Sequence, residues 1–321
     1  CEHRYAEAGR ECRQVFDLAA AQPARARRLA EALVEGFVDQ MLGCDRDLTI
    51  RLLAEGAGDK ASLHALNVSV IALLMGRVFS LADEDLHDVG LGALMHDAGK
   101  IEVPERLRHC SEQFSPSELG CYQEHVGFGV TIGRRMGLGA GALAVIEQHH
   151  EHADGSGFPR GLGSERMSVA ARIVALVNRY DNLCNPQQPS KALTPHEALA
   201  LLFAQGKSQF DTAIMAAFIK MMGVYPPGSA VQLTDDRYAL VTAVNSSRPL
   251  KPRVLVYDPK VPRDEALLLD LQEEPGLGIR RSLRPQALPR PALDYLSPRP
   301  RAIYFFEPVQ APGRQEPAAA A

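Results

Sequence analysis

After Pro23, apolar residues recur at Leu29, Leu33, Phe37 and Met41, one every four positions. That spacing predicts a helix with a single apolar stripe, and proline suits its first turn. From there to about residue 223 the pattern reads as helix after helix, without the alternation of a strand. Ser115-Pro116-Ser117-Glu118 and Thr194-Pro195-His196-Glu197 each spell a capping box with proline in the first turn. Residues 1–22 are polar and alanine-rich and predict a helix or a linker. The texture changes after the break Tyr225-Pro226-Pro227-Gly228. Ala230 to Leu233, Tyr238 to Val244 and Arg253 to Tyr257 are short β-prone runs, and Asp235-Asp236 suits a turn between the first two. Arg301 to Glu307 adds a candidate strand, whereas residues 258–300 are rich in proline and leucine and show no clear period. The proline- and alanine-rich tail from Pro308 predicts disorder. The chain thus divides into an N-terminal helical segment or linker (1–45), a helical domain (46–223), a small β-rich C-terminal subdomain (224–307) and a tail (308–321).

Composition narrows the function classes. At 321 residues the chain can bury one sizeable core and a smaller second unit. With 46% hydrophobic and 23% charged residues it has the balance of a globular protein. The formal net charge of −4 argues against a binder of nucleic-acid polymers. The longest charge-free apolar run, Ala65 to Gly76, is too short to span a bilayer. Cysteines stand at 1, 12, 44, 110, 121 and 184, with no CxxC pair. That spacing predicts neither a thiolate zinc site nor a disulfide framework, and fits a reducing cytoplasm. A chain that starts at Cys1 reads as a piece of a longer protein.

The chemistry lies in the histidines. His64 sits near the start of the helix expected over Ala61 to Ser80. His96-Asp97 follows the apolar run Leu91 to Met95 and precedes Ala98-Gly99-Lys100. His125 is expected on the helix opened by Ser115, and His149-His150 near the end of a helix over Gly141 to His152. Imidazoles with one carboxylate suit Fe, Mn, Zn or Ni better than Mg or Ca. Adjacent histidines on a helix diverge by about 100°, so each is expected to reach a different ion. Six candidate ligands exceed what one tetrahedral ion needs and point to two metals, a clamp suited to phosphoryl transfer. Lys100, one turn past His96, is placed to neutralise a phosphate oxygen or to protonate a leaving group. His87-Asp88 lacks the following Gly-Lys and reads as a solvated face, as do His3, His109, His152 and His196. After the histidine pair, Glu151 to Leu162 carries Gly155, Gly157, Pro159 and Gly161 and marks a tight loop. Such a loop can present backbone N–H groups and Arg160 to a phosphate or a protein partner, or serve as a plain turn between helices.

Together, His96-Asp97-Ala98-Gly99-Lys100, Glu124-His125 and His149-His150-Glu151 with Asp154 to Pro159 resemble the HD-GYP family's HDxGK, EH and HHExxDGSGxP signatures. Phe158 stands for the tyrosine of GYP, keeping the ring and losing the hydroxyl. Leu63 to Val68 resembles the family's HSLNV-like segment, and the resemblance runs from about His64 to Lys191. It implies an all-helical HD bundle, here mainly α with a small C-terminal β-rich part, that hydrolyses cyclic di-GMP to linear pGpG or GMP in bacterial second-messenger signalling. Carried over, His64, His96, Asp97, His125, His149 and His150 are metal ligands, and Lys100 and Asp97 are catalytic. Asp181, Lys191, Arg160, Gly157 and Phe158 are placed at the substrate. The implied cofactors are two divalent ions, iron or manganese first, zinc or nickel next. The implied partners are cyclic di-GMP, diguanylate cyclase domains docking on the glycine-rich loop, and an upstream sensory or receiver domain.

Three departures bear on these expectations. Asn178 occupies the position of a ligand aspartate, which removes a negative charge while leaving a neutral oxygen. Lys60 stands one turn before His64, where three-metal members carry a glutamate, so two ions are expected. The family's Arg-Pro-Tyr-Lys phosphate-binding stretch reads Gln187-Gln188-Pro189-Ser190 before Lys191, and its arginine is missing. Two alternatives therefore stand beside the diesterase: a weakened nucleotide sensor or interaction module, and an HD phosphohydrolase for another nucleotide.

Overall fold

The computed structural model describes residues 2–43, 48–52, 59–109, 113–206, 208–244 and 248–308. Cys1, Cys44, Cys110, the side chain of His3 and the tail 309–321 lie outside the described residues. Two helices, α1 (Glu2–Ala19) and α2 (Pro23–Leu42), open the chain. Leu33, Phe37 and Met41 of the α2 stripe are buried, and Tyr5 of α1 stacks on Phe37 at 5.1 Å between centroids. A short strand, β1 (Leu48–Leu52), precedes the helical body: α3 (Lys60–Val78), α4 (Asp83–Met95), α5 (Pro116–Gln123), α6 (His125–Met136), α7 (Ala140–Gln148), α8 (Val169–Cys184), α9 (Pro195–Gln205) and α10 (Thr212–Met222). Both expected capping boxes form, Ser115 with Glu118 and Thr194 with Glu197. Asp59 caps α3 by accepting from the N–H groups of Ala61 and Ser62. Helix α3 is long and apolar enough to cross a membrane, yet most of it is buried inside this fold. It is the central core helix, continuously buried from Ala65 to Gly76.

The remaining elements are β2 (Ala230–Leu233), β3 (Tyr238–Val244), β4 (Arg253–Val256), β5 (Leu268–Asp270), β6 (Ile279–Leu283), α11 (Arg290–Leu296) and β7 (Tyr304–Pro308). The three expected strands after the proline break match β2, β3 and β4, and Asp236 turns between the first two at φ 71°. All seven strands join one antiparallel sheet in the order β5-β4-β3-β1-β7, with β2 pairing β3 and β6.

The sheet departs from the expectation of uninterrupted helices before residue 223. Strand β1 pairs with β3 and runs against β7 from Leu48↔Pro308 to Leu52↔Tyr304. Its residues Leu48-Thr49-Ile50-Arg51-Leu52 do alternate between apolar and polar, a strand signal that the expectation of helices overlooked, and its partners lie far along the chain. Pro308, expected to begin the tail, closes β7. The aromatic end of that strand is part of the main core: Tyr304, Phe305 and Phe306 are buried, and Tyr5 of α1 meets both phenylalanine rings. The first helix and the last strand are thereby fixed to the helical body.

Candidate metal centre

Four ligand candidates sit at the first or last turn of a helix. His96 follows α4, His149 follows α7 and His64 lies in the first turns of α3, whereas His125, expected on the helix that Ser115 opens, begins α6 because that first helix ends at Gln123. A chain leaving a helix exposes its last carbonyls. Three of these histidines use them: the Nδ1 of His96, His125 and His149 lies 2.7, 2.6 and 2.8 Å from the carbonyls of Ala93, Tyr122 and Ile146. A carbonyl only accepts, so each Nδ1 donates and each Nε2 is left with a bare lone pair. The Nδ1 of His64 meets the Asp181 carboxylate instead.

These lone pairs converge on Asp97. Its Oδ2 lies 3.6 Å from His64 Nε2 and 3.4 Å from His96 Nε2. Its Oδ1 lies 3.6 Å from His125 Nε2 and 3.7 Å from His149 Nε2. Each carboxylate oxygen thus faces its own pair of imidazoles. Close packing makes this possible. A Cβ on Gly99 would meet the His125 carbonyl at 2.0 Å and the Gly129 nitrogen at 2.3 Å, so only glycine lets the turn carrying Asp97 press onto α6.

The residues fit a pair of cations. Bare Nε2 atoms face each other at 3.1 Å between His64 and His96 and at 3.4 Å between His125 and His149. Facing lone pairs repel unless a cation or proton lies between them. Asp97 Oδ1 and His150 Nε2 are buried without a hydrogen-bond partner, a costly state for polar atoms unless something else binds them. The donors form two groups, one of His64, His96 and Asp97 and one of Asp97, His125, His149 and His150, with ligand atoms in each within 4.8 Å of one another. Asp97 belongs to both.

Electrostatics agree with a ligand role. Burial alone would raise the Asp97 carboxyl, but Lys100 and His96 beside it hold it well below the usual carboxylate range. Burial pushes His149 down to about 3, and lowers His125 and His150 as well. At neutral pH the aspartate is charged and these three imidazoles are neutral, as metal binding requires.

The adjacent histidines depart from expectation. His149 and His150 both join the group around His125, with ring centroids 4.2 Å apart. The 100° divergence applies inside a helix, and α7 ends at Gln148. Phe158 stacks on the His150 ring at 4.5 Å and 20° between planes. Gly157 packs beneath the same turn, where a Cβ would meet His150 O and His152 N at 2.4 Å. Glu151 is fully buried and fixes the glycine-rich loop, accepting from the N–H groups of Arg160 and Leu162 at 2.7 and 2.8 Å. Its anchoring role was not visible in the sequence.

A cleft of about 320 Å³ opens over one half of the centre, with His64, Asp97 and Lys100 among its walls. Lys100 Nζ lies 2.6 Å from Asp97 Oδ2. Asp181 borders the cleft, but its buried carboxylate is taken up by His64, Asn67 and Asn185. Asn178 is buried one turn earlier, and its amide oxygen accepts from Asn182 at 2.6 Å. Gly157, Arg160 and Lys191 are not among the cleft residues; Arg160 is exposed beside Glu147 at 3.7 Å. His109, read from sequence as solvated, lines the cleft, as do Arg13 and Phe16 of α1 and Arg301 and Ile303 before β7. No local motif marks these positions.

Comparison with known proteins identifies the family and supports the fold. A family model described as HD domain matches residues 38–214. Cyclic di-GMP phosphodiesterase PA4108 of Pseudomonas aeruginosa is 30% identical over 200 residues, 61% of this chain and 47% of that protein. The 3'3'-cGAMP-specific phosphodiesterase 3 of Vibrio cholerae is 26% identical over 164 residues, 51% of this chain and 35% of that protein. The aligned stretch thus spans less than half of either relative. The solved structure of Bd1817, an HDG"Y"P protein from Bdellovibrio bacteriovorus, superposes with a TM-score of 0.53 at 17% identity, over 66% of this chain and 68% of that one, and supports the fold. With the HD dyad at the meeting point of two histidine groups and the family match over more than half its length, the chain belongs to the HD-domain family, in its HD-GYP type.

Proposed function

We propose that this chain is a metal-dependent phosphodiesterase that hydrolyses a cyclic dinucleotide, cyclic di-GMP first, to linear pGpG or GMP. The observation that carries the reading is Asp97, whose two oxygens each face a separate pair of bare imidazole nitrogens. His64, His96 and Asp97 would hold one divalent ion, and His125, His149, His150 and Asp97 the other. Iron or manganese suits this donor set best, with zinc or nickel next. When bound, such a pair supplies Lewis acidity to a phosphoryl group and lowers the pKa of water. The protein's own groups do the rest. Asp97 stays ionised because Lys100 and His96 outweigh its burial. Lys100, in the cleft wall beside Asp97, is placed to balance the phosphate charge or to give a proton to the departing oxygen. Buried backbone bonds hold three imidazoles in one tautomer, so little reorganisation precedes reaction. The names of the two relatives support a cyclic dinucleotide and leave open which bases it carries.

A second reading is a weakened sensor that binds nucleotide without cleaving it. Asn178 favours it, because its oxygen is neutral and already accepts from Asn182. In that case the rigid glycine-rich loop, with Arg160 exposed on it, would serve to dock a diguanylate cyclase domain.

Anaerobically purified protein, assayed for metal content and for products from cyclic di-GMP, tests the proposal. Two ions per chain and turnover abolished in both His96→Ala and Asp97→Ala are expected. Turnover that survives either substitution refutes the mechanism, and tight binding without product selects the sensor.

A further inference from the structure

A cyclic dinucleotide carries two phosphodiesters, and the metal centre with Lys100 accounts for only the one being cut. The other needs a cation. The sequence lacks the family's phosphate-binding arginine, and Lys191 is not among the cleft residues. Beyond Lys100, the lysines and arginines lining the cleft are Arg13, Lys60, Arg108 and Arg301. Three of them are engaged. Arg13 lies 3.9 Å from both Asp17 and Asp59, Lys60 donates to the Gln187 carbonyl at 3.3 Å, and Arg108 donates to the carbonyls of Val103 and Ile101 at 3.0 and 3.2 Å. Among the described residues, Arg301 is the one cleft arginine with neither an ion pair nor a hydrogen bond to its guanidinium.

Its backbone is held in place. The neighbouring Ala302 donates its N–H to Asn185 Oδ1 at 2.9 Å, and its carbonyl accepts from Asn185 and Asn67 at 2.9 and 3.1 Å. Two residues on, the Tyr304 N–H donates to Asn67 Oδ1 at 2.7 Å. A guanidinium fixed at its root and uncommitted at its tip can give a paired hydrogen bond to a phosphate. We infer that Arg301, which lies outside the residues matched by the HD-domain model, binds the non-scissile phosphate of the dinucleotide. The inference rests on the diesterase reading above and adds to it the residue that selects a substrate with two phosphates.

The test compares wild type, Arg301→Ala and Arg301→Lys on two substrates: cyclic di-GMP and bis(p-nitrophenyl) phosphate, which has a single phosphodiester. Arg301→Ala is expected to raise KM for cyclic di-GMP about tenfold or more. Turnover of the small diester and metal content should stay at the wild-type level, and Arg301→Lys should recover part of the loss. An unchanged KM for cyclic di-GMP overturns the assignment. Equal loss on both substrates also overturns it, since Arg301 would then act on the metal centre. A wild type that cleaves the small diester and ignores cyclic di-GMP sinks the reading of cyclic di-GMP as substrate, and this inference with it, before any variant is made.

Discussion

Replacing Asp181 by alanine should damage one half of the metal centre and spare the other. Of the four histidines around Asp97, three are oriented by backbone carbonyls that no side-chain substitution removes. His64 alone depends on a side chain, because its Nδ1 bonds the Asp181 carboxylate. A carboxylate behind a ligating imidazole fixes its tautomer and raises its basicity, and losing one typically costs about 10- to 100-fold in metal affinity. That is about 1.4 to 2.7 kcal/mol. The loss should fall on the ion held by His64, His96 and Asp97. The ion held by His125, His149 and His150 should keep its affinity, since His125 and His149 are oriented by the carbonyls of Tyr122 and Ile146 rather than by Asp181. Asp181→Asn should give a smaller effect, because an amide oxygen still accepts from His64 without the charge. Titration of metal-stripped protein with Mn²⁺, followed by calorimetry, would resolve a tight and a weakened site. Asp181 also bonds Asn67 and Asn185, so Asn185→Ala, which removes one support of Asp181 and leaves its bond to His64 in place, should weaken the same site to a smaller extent. Two sites weakened alike, or neither, would refute the division of the centre. So would an Asn185→Ala variant that behaves as Asp181→Ala does.

Other substitutions and conditions follow from the same geometry. Gly99→Ala would place a carbon 2.0 Å from the His125 carbonyl, which side-chain movement cannot relieve; a loss of about 1–3 kcal/mol or more in urea unfolding, together with reduced metal content, is expected, and wild-type stability would refute the close contact. Metal-stripped protein should lose stability on acidification. His149 is lowered from 6.5 to about 3, so the unfolded chain binds its proton first and stability is fully present above about pH 6.5 and declines as pH falls toward 3. At pH 5.5 this one residue should already cost on the order of 1 kcal/mol, with His125 and His150 acting in the same direction, and a stability flat from pH 7 to 5 would contradict it. Chelation should lower the melting temperature, because it leaves the facing lone pairs without a cation and removes the stabilisation of a bound ligand; an unchanged melting curve at full metal removal would contradict the reading of the pairs.

The members of the histidine–aspartate cluster were legible in the sequence, and most of what surrounds them was not. His96-Asp97 and His149-His150 announce themselves because each lies within a run whose neighbours are also unusual. The same local grammar gave the capping boxes at Ser115 and Thr194, since a cap is decided within four residues. Pairing between distant segments has no such signature. Leu48 to Leu52 carries the alternation of a strand, but nothing in those five residues tells that β3 and β7 will be its partners. His109, Arg13 and Arg301 reach the cleft for the same reason: tertiary packing brings them there from three separate stretches of chain. The expected divergence of His149 and His150 fails on a boundary. Helix α7 stops at Gln148 with His149 as its C-cap, so the angle of a regular helix does not set how the two rings diverge.

That contrast extends to how the centre is held. The His125–His149 half rests on local backbone bonds, each spanning three residues, and would persist wherever α5, α6 and α7 fold. The His64 half rests on a chain of side chains: His64 on Asp181, Asp181 on Asn67 and Asn185, and both asparagines on Ala302. The last link belongs to the segment leading into the strand that β1 pairs and that Tyr5 of α1 covers. Disturbing the C-terminal strand should therefore reach the metal site through His64 and not through His125. The segment that carries Arg301 into the cleft is the same one that steadies His64. Substrate recognition and the geometry of one ion are on this account coupled through Asn67 and Asn185, two neutral amides with no part in the chemistry itself.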